Sequence, residues 1–176
     1  MLNWNPDGHY PKVDDTSYIH STAVIIGNVK IGKKVFVGPG AVLRADEPGS
    51  LIVIEDNCNI QDRVIIHGLE NSTVLIKENT SLAHGSIVHG PCVIGENCFI
   101  GFSSVVFKAE LGKNVFIKHL TVVEGVNIPE RKVVESCQSI NTEEKVQELK
   151  CADEDMEIFA KNVVKANLEM VRGYLN

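Results

Sequence analysis

Residues 81–106 read SLAHGSIVHGPCVIGENCFIGFSSVV, and within them Leu82, Val88, Ile94, Ile100 and Val106 recur every six residues without a break. A period of six matches neither the 3.6-residue turn of a helix nor the two-residue alternation of a long strand. The ladder restarts one residue early at Leu111, Ile117 and Val123, and it is present upstream as Ile31, Val37, Leu43 and then Ile54, Ile60, Ile66. Glycine often sits one place after the aliphatic residue, at Gly27, Gly32, Gly38, Gly95, Gly101 and Gly112. A short strand that buries one aliphatic side chain per hexad and then turns a corner of about 120° accounts for this pattern, so that three hexads close one triangular coil. Glycine is expected to serve the corner, where a Cβ or a negative φ would be awkward. Stacked coils pair as parallel strands about 4.8 Å apart around a dry aliphatic interior. Residues 20–134 are expected to supply about six such coils.

The remaining features agree with one such domain spanning residues 1–176. The chain is 44% hydrophobic and 23% charged, a globular mixture that excludes disorder as the bulk state. Val and Ile together number 40, and 32 of them fall between His20 and Val134, so that segment is built from strands. Apolar runs stay under ten residues and no basic leader precedes an apolar core, so neither a membrane span nor a secretory signal is expected, and the location expected is cytoplasmic. A net charge of −6 without a Lys/Arg-rich stretch argues against nucleic acid as the partner. The five cysteines include no C-x-x-C pair and are read as reduced thiols. Two register breaks, Asp46 to Leu51 and Gly68 to Thr73, are expected as loops leaving a corner. After the coils, Asn141 and Glu144 resemble a capping box for a short helix over 141–150. A second helix over 153–175 starts at Asp153, Glu154 and Asp155, and its apolar stripe is expected to pack along the solenoid.

Chemistry is most legible in the histidines. His67 and His89 each follow an aliphatic hexad position and lie 22 residues apart. The step from Ile66 to Ile76 is ten residues instead of six, so four of the 22 belong to a loop and 18 remain, one full coil. The two imidazoles therefore stack on one edge about 4.8 Å apart, a spacing from which they can share one ion with Zn–N bonds of about 2.0–2.1 Å. His84 is five residues from His89, about 16 Å in extended chain, and lies on another edge. It cannot reach the same ion within one subunit. In a threefold ring of parallel solenoids, the His84 of a neighbour completes the set, and three histidines with an open position suit a hydrating or hydrolytic zinc. The alternative is that corner histidines are solvated or capping groups.

The segments Arg44–Glu47 (RADE), Asn59–Asp62 (NIQD), Ile66–Glu70 (IHGLE), Ser81–Pro91 (SLAHGSIVHGP) and Phe99–Phe102 (FIGF) make the chain recognisable. From Tyr18 to Ser136, and on into the last helix, it resembles the γ-class carbonic anhydrases and the homologous domain of the carboxysome organising protein. The resemblance implies a mainly β fold, a left-handed parallel β-helix of hexapeptide repeats with a C-terminal α-helix, assembled as a homotrimer. It implies a metal held by His67, His84 and His89, zinc by default and Fe2+ or Co2+ by ligand type. Gln61 matches a glutamine that hydrogen-bonds water or bicarbonate at the metal, Asn59 a nearby polar partner, and Asn167 an asparagine near the cleft. Arg44, Asp46 and Asp62 match an intersubunit ion network. Glu47 and Glu70 match acidic residues that handle protons, although the acidic loop after Glu70 is shortened here, which implies weak proton export. The activity implied is reversible hydration of carbon dioxide to bicarbonate. Two other readings stand beside it: a hexapeptide acyltransferase using one histidine as general base, and a non-catalytic scaffold whose metal ties the trimer together.

Overall fold

The computed structural model describes all 176 residues, and each hexad aliphatic points to the same interior. Leu82, Val88, Ile94, Ile100 and Val106 are fully buried, as are Val37, Leu43, Ile60 and Ile66. Their side chains belong to one continuous cluster of 35 buried residues, so the solenoid has a single core from end to end. Complete burial of such a side chain contributes about 1.5–3 kcal/mol, and repeating it from coil to coil compensates for strands too brief to be stable alone.

Successive strands step to successive faces, giving three parallel sheets of eight, seven and seven strands. Pairing always joins one coil to the next: Ile66 faces Val88, Val88 faces Val106, and Val106 faces Val123. The coils number about seven and run from Leu2–Asn3 to Ser139–Ile140, beyond the expected limits of residues 20–134. The first coil lacks the aliphatic-glycine hexad because it covers an end of the core, so its strands Leu2–Asn3, Lys12–Val13 and Tyr18–Ile19 are only partly buried.

The glycines meet the expectation in two ways: Gly27 takes a positive φ of 81, while at most of the others the Cβ alone is the obstacle. Gly95 has an ordinary φ, but a Cβ there would lie 2.4 Å from the carbonyl oxygen of Gly112 on the next coil. Its role is close approach between coils. The left-handed backbone falls two residues later, at Asn97 (φ 56) and on the coils to either side at Asn79 (φ 57) and Asn114 (φ 55), where asparagine tolerates it better than most side chains.

Residues 46–50 and 68–72 are loops at one corner, as expected, and they stack. The Asn71 amide donates to the Pro48 carbonyl oxygen at 2.9 Å, and the Glu70 amide donates to Glu47 Oε2 at 2.7 Å. The short helix α1 spans Glu143–Gln147, and its cap is Thr142, whose hydroxyl accepts from the Lys145 amide, in place of Asn141. Asn141 instead accepts from Lys145 Nζ at 2.9 Å. Helix α2 spans Glu154–Leu175, capped by Asp153, which accepts from the Met156 amide. It lies along the third sheet, burying Ala160, Val164, Asn167 and Val171, with Tyr174 stacked on Tyr18 at 4.3 Å and Phe159 edge-on to Phe99 at 5.3 Å. No helix is long and apolar enough to cross a membrane.

All five cysteines are free thiols. Burial pushes Cys58 and Cys98 up to about 12 and raises Cys92. Because the thiolate is the reactive form, an aromatic disulfide reagent at mildly alkaline pH should titrate only the exposed Cys137 and Cys151 in the folded protein and all five in denaturant. Rapid reaction of a third thiol without denaturant would mean that the solenoid interior opens locally.

Candidate functional site

The one-coil arithmetic for the paired histidines holds. His67 ends the strand Ile65–His67, His89 ends Ile87–His89, and the two are direct register partners. Both side chains point outward because the central residue of each strand, Ile66 or Val88, points in. The ring centroids are 4.7 Å apart, and His67 Nδ1 faces His89 Nε2 at 2.9 Å. Two nitrogens bound to one tetrahedral ion by bonds of about 2.0–2.1 Å sit about 3.3 Å apart, so the pair needs only a small adjustment to chelate. Burial, followed by the nearby His89 and Arg44, pushes His67 below the ordinary imidazole range. That favours the neutral ring, the form a metal takes.

Carboxylates close one side of this pair. Glu47 Oε1 lies 3.4 Å and Asp46 Oδ1 3.7 Å from His67 Nε2. Asp46 Oδ1, His67 Nε2 and His89 Nδ1 are buried and make no hydrogen bond. Half of the six such side-chain atoms in the molecule thus collect at one spot, where unpaired groups call for an ion or a partner. The Arg44 guanidinium pairs with Asp46 Oδ2 of its own chain, through Nε at 3.1 Å and Nη2 at 3.0 Å. Arg44 also stands beside His67 as its register partner. Glu70 is exposed and joins the cluster through its backbone amide, which Glu47 Oε2 accepts.

His84 stands elsewhere, in the turn after Ser81–Leu82, with its side chain 53% exposed. Its Nδ1 lies 3.3 Å from Asp62 Oδ2 and its ring stacks on Phe102 at 5.5 Å. Asp62 therefore meets His84, while Arg44 meets Asp46. No three His, Cys, Asp or Glu side chains of one chain come together closely enough to hold a metal ion. The donors form two separate halves, two facing imidazoles beside Asp46 and Glu47, and one exposed imidazole beside Asp62. Imidazole is a ligand type that suits a divalent transition metal, and each half offers such nitrogens.

The second half continues into a pocket of about 270 Å³ beneath α2, which His84 lines together with Asn59, Gln61 and Asn167. Asn167 Nδ2 donates to the Val163 carbonyl oxygen at 2.8 Å, one turn back in the helix. A backbone carbonyl only accepts, so this bond aims Asn167 Oδ1 at Gln61, whose Nε2 donates to it at 2.8 Å and to Asn59 Oδ1 at 2.6 Å. Both amide hydrogens of Gln61 are engaged, and its Oε1 makes no hydrogen bond. Ser81, Phe99, Phe102 and Phe159 also line the pocket; the first three stand in segments that carried the resemblance, but the sequence assigned a role to none of the four. The signal available was the outward position before each buried aliphatic, which α2 covers on this face alone.

Comparison with known proteins places this geometry among relatives. The family model described as bacterial transferase hexapeptide (six repeats) matches residues 10–45 and 73–108. A carbonic anhydrase of Methanosarcina thermophila is 33% identical over 97% of the chain and 77% of its own length. The carboxysome assembly protein CcmM of a Nostoc species is 34% identical over 98% of the chain, which spans only 33% of that longer protein. The crystal structure of a hexapeptide transferase family protein from Anaplasma phagocytophilum superposes with a TM-score of 0.84 at 24% identity, covering 99% of this chain and 98% of that one, a likeness of fold.

The hydrogen-bonded amides are internal supports as well as site features. Asn167 is only 8% exposed, and Asn167→Ala leaves a donor hydrogen of Gln61 unpaired, so it should cost about 1–3 kcal/mol in urea unfolding. An unchanged midpoint and slope would mean that water replaces the bond freely and that Gln61 is not held from the helix.

Proposed function

The chain belongs to the hexapeptide-repeat family that includes the γ-class carbonic anhydrases, and from that premise we propose that it hydrates carbon dioxide reversibly at metal sites shared between subunits of a homotrimer. The observation that carries the proposal is the division of the donors: His67 and His89 face each other at 2.9 Å with their outer nitrogens unpaired, while His84 stands exposed on another edge beside the Gln61 pocket. In a ring of three, the His84 edge of one subunit meets the paired edge of the next. Each interface then assembles His67, His89 and a neighbour's His84. Zinc is the first candidate by ligand type, with ferrous iron and cobalt accepting the same set.

A divalent metal bound there lowers the pKa of water from 15.7 to about 7 and so supplies a nucleophile at neutral pH. The protein's own groups orient and clear the reaction. Gln61, with both amide hydrogens donated to Asn59 and Asn167, presents Oε1 as an acceptor for the hydroxyl hydrogen of the nucleophile. The apolar wall of the pocket, including Phe99, Phe159 and Val163, suits an uncharged linear substrate and excludes water around it. Glu47 is the first carboxylate able to take the released proton, since Oε1 lies 3.4 Å from His67 while Oε2 holds the Glu70 amide. Glu70, exposed on the next loop, is the following station towards buffer.

Stopped-flow hydration assays on protein reconstituted with zinc, and anaerobically with ferrous iron, test the activity directly. Acceleration beyond that of free metal supports the proposal; metal uptake without acceleration favours a scaffold, and no stoichiometric metal uptake removes the site. The shared geometry is tested separately by co-refolding His67→Ala with His84→Ala chains. Mixed trimers contain interfaces with every ligand intact, so the mixture should bind more metal than either parent refolded alone, and equal metal contents would place the ligands within one subunit.

Proton export gives a further check. Glu70→Ala should lower kcat at low buffer concentration while leaving kcat/KM nearly intact, and small buffers such as imidazole should recover most of the loss. If both constants fall together and no buffer rescues them, Glu70 belongs to the hydration step or to the fold.

A further inference from the structure

One outward column on the third sheet runs through successive coils as Tyr18, Phe36, Asn59, Ser81, Phe99 and Phe116. Its two central members are polar, between pairs of aromatic rings, and both are sealed beneath α2 at 1% exposure. Asn59 accepts from Gln61, but Ser81 Oγ has no hydrogen-bond partner. A buried hydroxyl without a partner destabilises the empty protein, whereas alanine at the same position leaves nothing unpaired. The hydroxyl lines the same pocket as Gln61, Asn59 and His84, so the partner it lacks is one that a bound molecule can supply.

Three residues lining this pocket therefore carry unused polar functions: the Ser81 O–H and the Asn59 side-chain NH2 as donors, and Gln61 Oε1 as acceptor. A neutral molecule with acceptor atoms only, such as carbon dioxide, does not itself offer the Gln61 carbonyl a donor. A planar oxyanion carrying one hydroxyl matches all three, with two oxygens to accept and one O–H to donate. Bicarbonate has that composition. We propose that Ser81 is a ligand-binding residue of this pocket, donating its hydroxyl hydrogen to an oxygen of bicarbonate while Gln61 accepts from the bicarbonate hydroxyl. The naming of bicarbonate rests on the function proposed above; the unpartnered hydroxyl does not.

Selectivity follows from the same inventory. Nitrate is planar and carries the same charge, but it has no hydroxyl and leaves Gln61 Oε1 unpaired. A polar group built to pair and left unpaired discriminates more strongly than a change in apolar contact. The pocket is therefore expected to hold bicarbonate more tightly than nitrate, with Ser81 contributing to both and Gln61 to the difference.

The test is isothermal titration of the metal-loaded, assembled protein with bicarbonate and with nitrate, at a pH where bicarbonate predominates, together with thermal melts without either anion. The unmodified protein should bind bicarbonate at least about tenfold more tightly than nitrate, the discrimination expected when one buried acceptor is left unpaired. Ser81→Ala should weaken bicarbonate binding by roughly tenfold, the loss expected for one hydrogen bond to a charged acceptor, and should raise the KM for bicarbonate in the dehydration direction more than it lowers kcat. Its Tm should stay the same or rise, because the empty protein loses only an unpaired hydroxyl. Ser81→Thr keeps the donor and should recover most of the affinity. If Ser81→Ala binds bicarbonate within twofold of the parent, or if the parent binds none at millimolar concentration, the inference is wrong. A fall in Tm without a change in affinity would make Ser81 a structural residue and overturn it as well. Failure of the hydration assay beside Ser81-dependent binding would sink the enzymatic reading alone, and hydration with unchanged binding in Ser81→Ala would sink this inference alone.

Discussion

Everything in this molecule depends on coil-to-coil register. One aliphatic side chain per hexad is locked inside a triangular core, and because strand side chains alternate, that inward residue dictates which neighbours face out and at what height. A slip of one residue would turn His67 and His89 inward and Ile66 and Val88 out. The core opposes this with burial of an aliphatic on every strand beyond the first coil. The same lock that stabilises the solenoid therefore aligns two imidazoles closely enough to share an ion.

A rigid column of this kind also separates what it cannot bring together. His84 and His89 are near in sequence, yet a corner lies between them, and a solenoid cannot fold back to close that gap. The two facing imidazoles and the exposed third are complementary halves on different edges, and each half retains its own carboxylates: Asp46 and Glu47 beside the pair, Asp62 beside His84. The polar groups that would surround a substrate come from yet another source, since α2 lies over the third sheet and contributes Asn167 from 106 residues away along the chain.

The glycines and asparagines illustrate how close packing decides details that composition cannot. Gly95 is small because the Gly112 backbone of the next coil occupies the space of its Cβ. Asn79, Asn97 and Asn114 take the left-handed turns. From sequence, glycine after each aliphatic residue answers either to a Cβ or to a φ that would be awkward, and the spacing between coils reveals that the Cβ is the constraint at Gly95.

The amino-acid sequence by itself determined the hexad solenoid, the two loops at 46–50 and 68–72, the closing helix and the stacking of His67 on His89, because these follow from a strict period in which every aliphatic must be buried. It also placed His84 on another edge, since five residues cannot round a corner and return. Tertiary structure showed that the coils continue to both ends, where the six-residue spacing of Val13, Ile19 and Ile25 and of Ile128, Val134 and Ile140 runs on without the glycine that follows it elsewhere. It also decided the pairing of Arg44 with Asp46 and of Asp62 with His84, and the capture of both Gln61 amide hydrogens. Ser81 became an unpaired, buried hydroxyl for the same reason. Each of these depends on which outward face α2 covers and on where neighbouring backbones approach, quantities set by packing in three dimensions and not by any period along the chain.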